Sequence, residues 1–249
     1  MLAEQEGADR VAGVRERLSL FGRIDSPEDV VDRSIRVYLA LKDMACTYGY
    51  SFIGVKCQPE MIYRYASCCL AMSLLGNDGI PTACECDTNA ALTMYMLHLL
   101  SGQPVYFGDT ASLDLTTREF KVVNCGGAPT DFAAKPEDVV LTTQYELMGS
   151  GRGVVTSFQC RPGEVTLARI SRVKGKFVMI LARGTAEERP PEAFVQSFKI
   201  WPHAFIRLHG DPRVLAREIR SNHIHFVYGD YVAAMVEASR LLGIETTVV

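Results

Sequence analysis

Two carboxylates, Glu85 and Asp87, stand two residues apart ahead of an apolar segment that runs from Ala90 to Leu100. Carboxylates so placed can hold a cation or move a proton. Glu60 follows Pro59 at a second loop-to-helix junction, and His223 and His225 flank Ile224 ahead of an apolar run. Strand alternation puts those two imidazoles on one side. Glu60, Asp87 and His223 each fall at a junction between elements. Three such oxygen and nitrogen donors with open positions suit a hard or borderline divalent ion such as Mn2+. Each residue also has a purely structural explanation. Aspartate is a favoured helix N-cap, an acidic first turn suits the helix dipole, and a histidine entering a strand often only bonds the backbone. Glu85 is harder to explain that way, because a glutamate on a buried strand needs a partner or a cation.

The elements that would position these groups alternate through the first half. The spacing predicts a helix within residues 1–22, a second from Pro27 to about Tyr48, a strand over Phe52–Val55 and a third helix over Met61–Leu75. A strand over Thr82–Cys86 follows, with Cys84 and Cys86 on one face and Glu85 on the other. Asp87 then opens a helix that Gly102 and Pro104 stop, and Val105–Phe107 begins a new strand. This is the pattern of a parallel α/β layer, whose ligands gather at the carboxyl ends of its strands. With so few strands ahead of Gly108, it reads as the end of an α/β region. After Glu119 strands take over: Glu119–Asn124, Val154–Cys160, Val165–Val173, Phe177–Thr185 and Ala204–Leu208, with turns such as Lys174-Gly175. Residues 130–150 read as irregular. Helices over Pro212–Ser221 and Tyr231–Leu242 and strands over Ile224–Tyr228 and Glu245–Val248 close the chain. The second half is barrel-like or sandwich material, and the pattern alone changes near Asn124.

The 249 residues carry a net charge of −3, with 48% hydrophobic and 22% charged residues, an ordinary globular balance. Basic residues are scattered, so no nucleic-acid partner is expected. No apolar window is long enough to span a membrane, and the polar start MLAEQEGADR is not a signal peptide; a cytoplasmic protein is expected. The eight cysteines contain no CxxC pair and read as reduced core residues.

The run from Gly79 to Asp109, GIPTACECDTNAALTMYMLHLLSGQPVYFGD, resembles the L-fucose isomerase and L-arabinose isomerase group, in its fucose isomerase-like branch. The likeness continues through Val122–Ala128 and Val165–Arg169 and resumes at Trp201-Pro202 and Asn222-His223. It covers most of the chain from about residue 27. The resemblance implies an α/β fold: a partial parallel α/β layer followed by a β-barrel-like C-terminal domain with flanking helices. It divides the chain into residues 1–81, the remainder of a middle α/β domain, and 82–249, the β-rich domain. It implies a divalent metal, usually Mn2+, on Glu60, Asp87 and His223. The implied activity is aldose–ketose isomerisation of a monosaccharide through a cis-enediol, with Glu60 and Asp87 as the acid/base pair. Asn222 would bond a sugar hydroxyl and Trp201 would face the sugar ring. A homo-oligomer, trimer or hexamer, is implied as well. In the family a further N-terminal α/β domain covers the active site of a neighbouring subunit, and this sequence is expected to start after it. A sugar-binding or scaffold subunit that keeps the fold without catalysis is therefore the competing expectation.

Overall fold

Residues 2–145, 150–190, 192–193 and 201–249 are described by a computed structural model. The first helix, α1, covers Ala8–Leu18, and α2 covers Glu28–Tyr48, with Pro27 at its N-cap and Gly49 ending it at φ +67°. Between them lies a short exposed strand not expected from the sequence, β1 (Arg23–Asp25). It pairs in parallel with β6 (Val140–Thr143), which pairs antiparallel with β7 (Val154–Ser157). The segment expected to be irregular thus carries a strand; residues 146–149 lie outside the described residues.

The parallel layer is present as β2 (Ile53–Val55) beside β3 (Thr82–Cys84). The single helix expected over Met61–Leu75 is two, α3 (Glu60–Arg64) and α4 (Cys69–Asn77). The break has a tertiary cause. The Ser67 amide donates to the Arg152 carbonyl (3.1 Å) instead of to a helical carbonyl, and Gly153 packs against it. Residues Cys69–Gly76 of α4 are buried all round, as a helix enclosed by other elements must be. Its sides meet α2, β3 and β7. The expected strand to Cys86 ends at Cys84, because Glu85 and Cys86 both take the left-handed conformation, φ 58° and 56°. Alternation stops there, and Glu85 turns outward instead of into a buried face, its side chain 61% exposed.

α5 (Thr88–Ser101) begins at the Asp87 cap and ends at Gly102, φ +66°, whose amide bonds the His98 carbonyl. The remaining strands are β4 (Tyr106–Leu113), β5 (Glu119–Val123), β8 (Gly163–Val173), β9 (Lys176–Glu187), β10 (His203–Leu208), β11 (His223–Tyr228) and β12 (Glu245–Val248). They form one seven-stranded sheet in the order β10-β5-β4-β11-β8-β9-β12, and β9 also pairs with β10. Six strands therefore make a ring, which leaves few open edges, and β12 adds to β9 in parallel. β8 and β9 are joined through Lys174 and Gly175, both with positive φ, the backbone that a two-residue hairpin needs. Tyr106 and Phe226 stack at 4.6 Å and Phe132 meets Phe226 edge-on at 5.2 Å, all three buried. Helices α6 (Pro212–Glu218) and α7 (Val232–Leu241) flank the ring.

One seam in the ring matters for the site. β8 and β11 pair only from Val165–Tyr228 to Ala168–His225. Beyond that pair β8 continues beside β9, while β11 continues to His223 beside β4. The N-terminus of α5 lies over this parting, and Arg169 links the two through contacts with Asp87 and His225.

Candidate active site

Asp87 does two things at once. Its Oδ1 accepts the Ala90 amide at 2.9 Å, so it is the N-cap that its sequence position suggests. Its Oδ2 lies 2.8 Å from His223 Nδ1 and 2.8 Å from Arg169 Nη1, and Arg169 Nη2 reaches Oδ1 at 3.2 Å. The Asp87 and Arg169 side chains are 16% and 6% exposed. Burial pushes the Asp87 carboxyl up, but bonds from His223, Arg169 and the Ala90 amide outweigh it and hold the group well below the usual carboxylate range.

His223 opens β11, directly opposite Asp109 of β4. Its Nε2 is buried, 3.3 Å from Asp109 Oδ1 and 3.7 Å from Glu85 Oε2, without a hydrogen bond of good geometry. Burial lowers its pKa; Asp109 and Asp87 more than offset that and raise it to about 9. His225 lies one pleat further along. Phe107 packs against both imidazoles, at 4.6 and 5.1 Å between rings, so the expected common side is correct. His225 Nε2 is 3.3 Å from Arg169 Nη1, and burial together with Arg169 keeps it neutral.

The other sequence candidates fall around this core. Asn222 is exposed, and its carbonyl accepts the Thr110 amide at 2.7 Å. Trp201, half-buried, precedes β10, its carbonyl 2.5 Å from His203 Nδ1. Glu60 is exposed in the first turn of α3 and, among the described residues, makes no ion pair or hydrogen bond with Asp87 or His223. The structure thus brings Asp87 and His223 together without Glu60. Among the described residues no three His, Cys, Asp or Glu side chains are gathered as a cage. The donor chemistry nevertheless fits a divalent ion: the buried, unsatisfied Nε2 of His223 faces the carboxylates of Asp109 and Glu85, and the half-buried Asp87 holds its other nitrogen.

Sequence reasoning did not single out Arg169 or Asp109 as site residues. Arg169 occurs in an alternating strand, where a charge reads as solvent-facing. Asp109 has no local signal beyond its place near a strand end.

A profile of the L-fucose isomerase C-terminal domain matches residues 122–249. The chain belongs to this L-fucose isomerase family. It is 26% identical over 251 residues to a sulfoquinovose isomerase of Clostridium sp. (strain MSTE9), covering 98% of this chain and 54% of that protein. Sulfoquinovose isomerases of Priestia aryabhattai and Alkalicoccus urumqiensis are 24% and 23% identical, over 79% and 67% of this chain and 43% and 38% of theirs. The chain spans about half the length of the relatives it matches, or less. No helix among the described residues is long and apolar enough to cross a membrane.

Proposed function

We propose that this L-fucose isomerase family chain takes part in a metal-dependent aldose–ketose isomerisation through a cis-enediol, on a monosaccharide. The relatives' name makes sulfoquinovose the first aldose to test. The observation that carries the reading is the part-buried Asp87–His223 pair, 2.8 Å apart at the N-terminus of α5. Asp87 and His223 would hold Mn2+ or another divalent ion, with Glu60 as the third ligand. When bound, the ion supplies charge that polarises a carbonyl and holds adjacent sugar oxygens. Arg169 and the Ala90 amide keep Asp87 ionised and fixed, which suits it to a ligand role and makes it a weak base on its own. Glu60, exposed and, among the described residues, in no ion pair, is the better carboxylate to move the proton between neighbouring sugar carbons. Asn222, exposed beside His223, would bond a sugar hydroxyl, and Trp201 would face the ring. Cytoplasmic placement and a trimeric or hexameric assembly belong to the same proposal.

The test is Mn2+ content and affinity of the purified protein beside Glu60→Gln, Asp87→Asn and His223→Ala, followed by an aldose panel that includes sulfoquinovose. Stoichiometric metal, weakened in each variant, supports the reading. Wild-type protein without metal overturns it and leaves the sugar-binding or scaffold subunit.

A further inference from the structure

We propose that Cys57 and Cys68 form a peroxide-sensitive thiol pair that closes to a disulfide across α3. The pair is independent of the metal reading above. Cys57, Cys68, Cys69 and Cys84 are buried, Cys125 is half-buried, and all are free thiols. Their sulfurs form one run of contacts: Cys68 to Cys57, Cys57 to Cys84, Cys84 to Cys125 and Cys125 to Cys69. Separate elements bring them together. Cys57 follows β2, Cys84 ends β3, Cys68 and Cys69 open α4, and Cys125 follows β5. The parallel register sets Val55 beside Cys84. At the far end Gln144 Nε2 reaches Cys69 Sγ at 3.9 Å and the Cys125 carbonyl at 3.4 Å. A cysteine that only fills a core acts as a small hydrophobe and needs no second sulfur beside it.

Within the run, Cys57 and Cys68 are unequal. The thiols of Cys68 and Cys84 and the amide of Cys68 all donate to Cys57. Cys68 is the N-cap of α4, and a helix N-terminus favours a thiolate. These donors, the Cys68 thiol foremost, lower the Cys57 pKa against burial, and the same contact raises that of Cys68. The anion therefore belongs to Cys57 and the proton to Cys68. Cys68 Sγ also reaches Met61 Sδ of α3 at 3.3 Å. Cys57 is 3% exposed, between exposed Lys56 and half-buried Gln58. Beside it lies α3, only five residues long, whose Met61 and Ile62 amides bond the Cys57 carbonyl at 3.1 Å. Glu60, Tyr63 and Arg64 of α3 are exposed. So short and exposed an element opens without global unfolding, which admits a molecule as small as hydrogen peroxide.

The oxidant is a hydroperoxide. The Cys57 thiolate attacks its O–O bond; an S–O bond forms, the O–O bond breaks, and the leaving oxygen takes up a proton as water or alcohol. Sulfur is oxidised to the sulfenic acid and the peroxide is reduced by the same electron pair. Cys68 sulfur then attacks Cys57 sulfur; the S–S bond forms, the S–O bond breaks, and hydroxide leaves with the Cys68 proton as water.

The experiment treats the wild-type protein briefly with hydrogen peroxide and quenches with catalase. The protein is then denatured, its remaining thiols are alkylated with N-ethylmaleimide, and its peptides are mapped by mass spectrometry. Cys46 and Cys86, both exposed, are internal references. The expected result is that two of the eight thiols are lost to alkylation as a Cys57–Cys68 disulfide before Cys46 or Cys86 is oxidised, and that dithiothreitol restores both. Cys68→Ser, with its thermal midpoint as a folding control, should stop at a Cys57 sulfenic acid that dimedone traps. Oxidation of Cys46 and Cys86 while Cys57 and Cys68 still alkylate overturns the proposal. A wild-type disulfide between Cys57 and Cys84 overturns the pairing, and a folded Cys68→Ser protein with no dimedone adduct on Cys57 overturns its role as nucleophile.

Discussion

Asp87 and His223, separated by 136 positions in the chain, meet at 2.8 Å through Oδ2 and Nδ1. The first caps a helix and the second opens a strand of the ring. The site therefore exists only when the N-terminus of α5 is docked over β11 and β8. Arg169 helps to fasten that docking, beside Thr93 of α5, whose Oγ1 accepts the Ile170 amide of β8 at 3.0 Å.

Arg169→Met leaves the half-buried Asp87 with His223 and the Ala90 amide but without its guanidinium partner. Because two donors remain, the loss expected in urea unfolding is about 1–3 kcal/mol, below that of a fully uncompensated buried charge. Arg169→Lys should recover part of it, because an ammonium keeps the charge but not the two-pronged contact. A loss under about 1 kcal/mol for Arg169→Met would show that the pair does not fasten α5.

His203 supplies a pH dependence away from the site. Burial lowers its pKa to about 4, against an ordinary 6.5, although the Trp201 carbonyl opposes the shift. Between those values the unfolded chain binds the proton and the folded one does not. Stability from this group is therefore complete above the unfolded value and falls as the pH drops through that window. Urea midpoints measured between pH 4.5 and 7.5 should show the fall, and His203→Gln should flatten it. Parallel curves for the two proteins would refute the assignment.

Asp78 ties the first two helices to α4. It accepts Tyr38 Oη at 2.5 Å, Lys42 Nζ at 2.9 Å and Arg17 Nη1 at 3.1 Å. Asp78→Ala leaves the Tyr38 hydroxyl without its acceptor, with only Lys42 Nζ still donating to it, and is expected to cost about 1–3 kcal/mol. Arg17→Ala, at a partner 39% exposed, should cost less than about 1 kcal/mol. Chemical denaturation of the two variants side by side tests the order, and equal losses would contradict it.

Gly153 sits at φ +99°, and a Cβ there would fall 2.3 Å from Ser67 Oγ and 2.6 Å from Ser67 N. Gly153→Ala is expected to destabilise by about 1–3 kcal/mol from backbone strain alone, with more from the collision. The same variant should loosen the α3–α4 break and so raise hydrogen exchange at the Ser67 amide. Normal stability and protection would show that the close approach is not needed.

Features set by neighbours in sequence were legible. Asp87 as a cap, Gly102 as a stop, the Lys174-Gly175 turn and the alternating strands of the second half follow from local backbone preferences and periodicity. So does the pairing of His223 and His225 on one side of a strand. β1 was not legible, because three exposed residues become a strand only when β6 lies beside them. The division of one apolar helix into α3 and α4 was hidden for the same reason: the amide of Ser67 is claimed by a carbonyl from residue 152.

By itself the sequence determined the family, the ring-forming strands and the candidates Asp87 and His223, since residue type, order and period carry that information. Tertiary structure alone decided that Glu85 turns outward through a left-handed pair, and that Arg169 and Asp109 lie against Asp87 and His223. Those outcomes depend on where β8 and β11 part and on which residues β4 and β11 place opposite each other. Strand register and seam position come from the packing of the whole ring, and no short window of sequence encodes them.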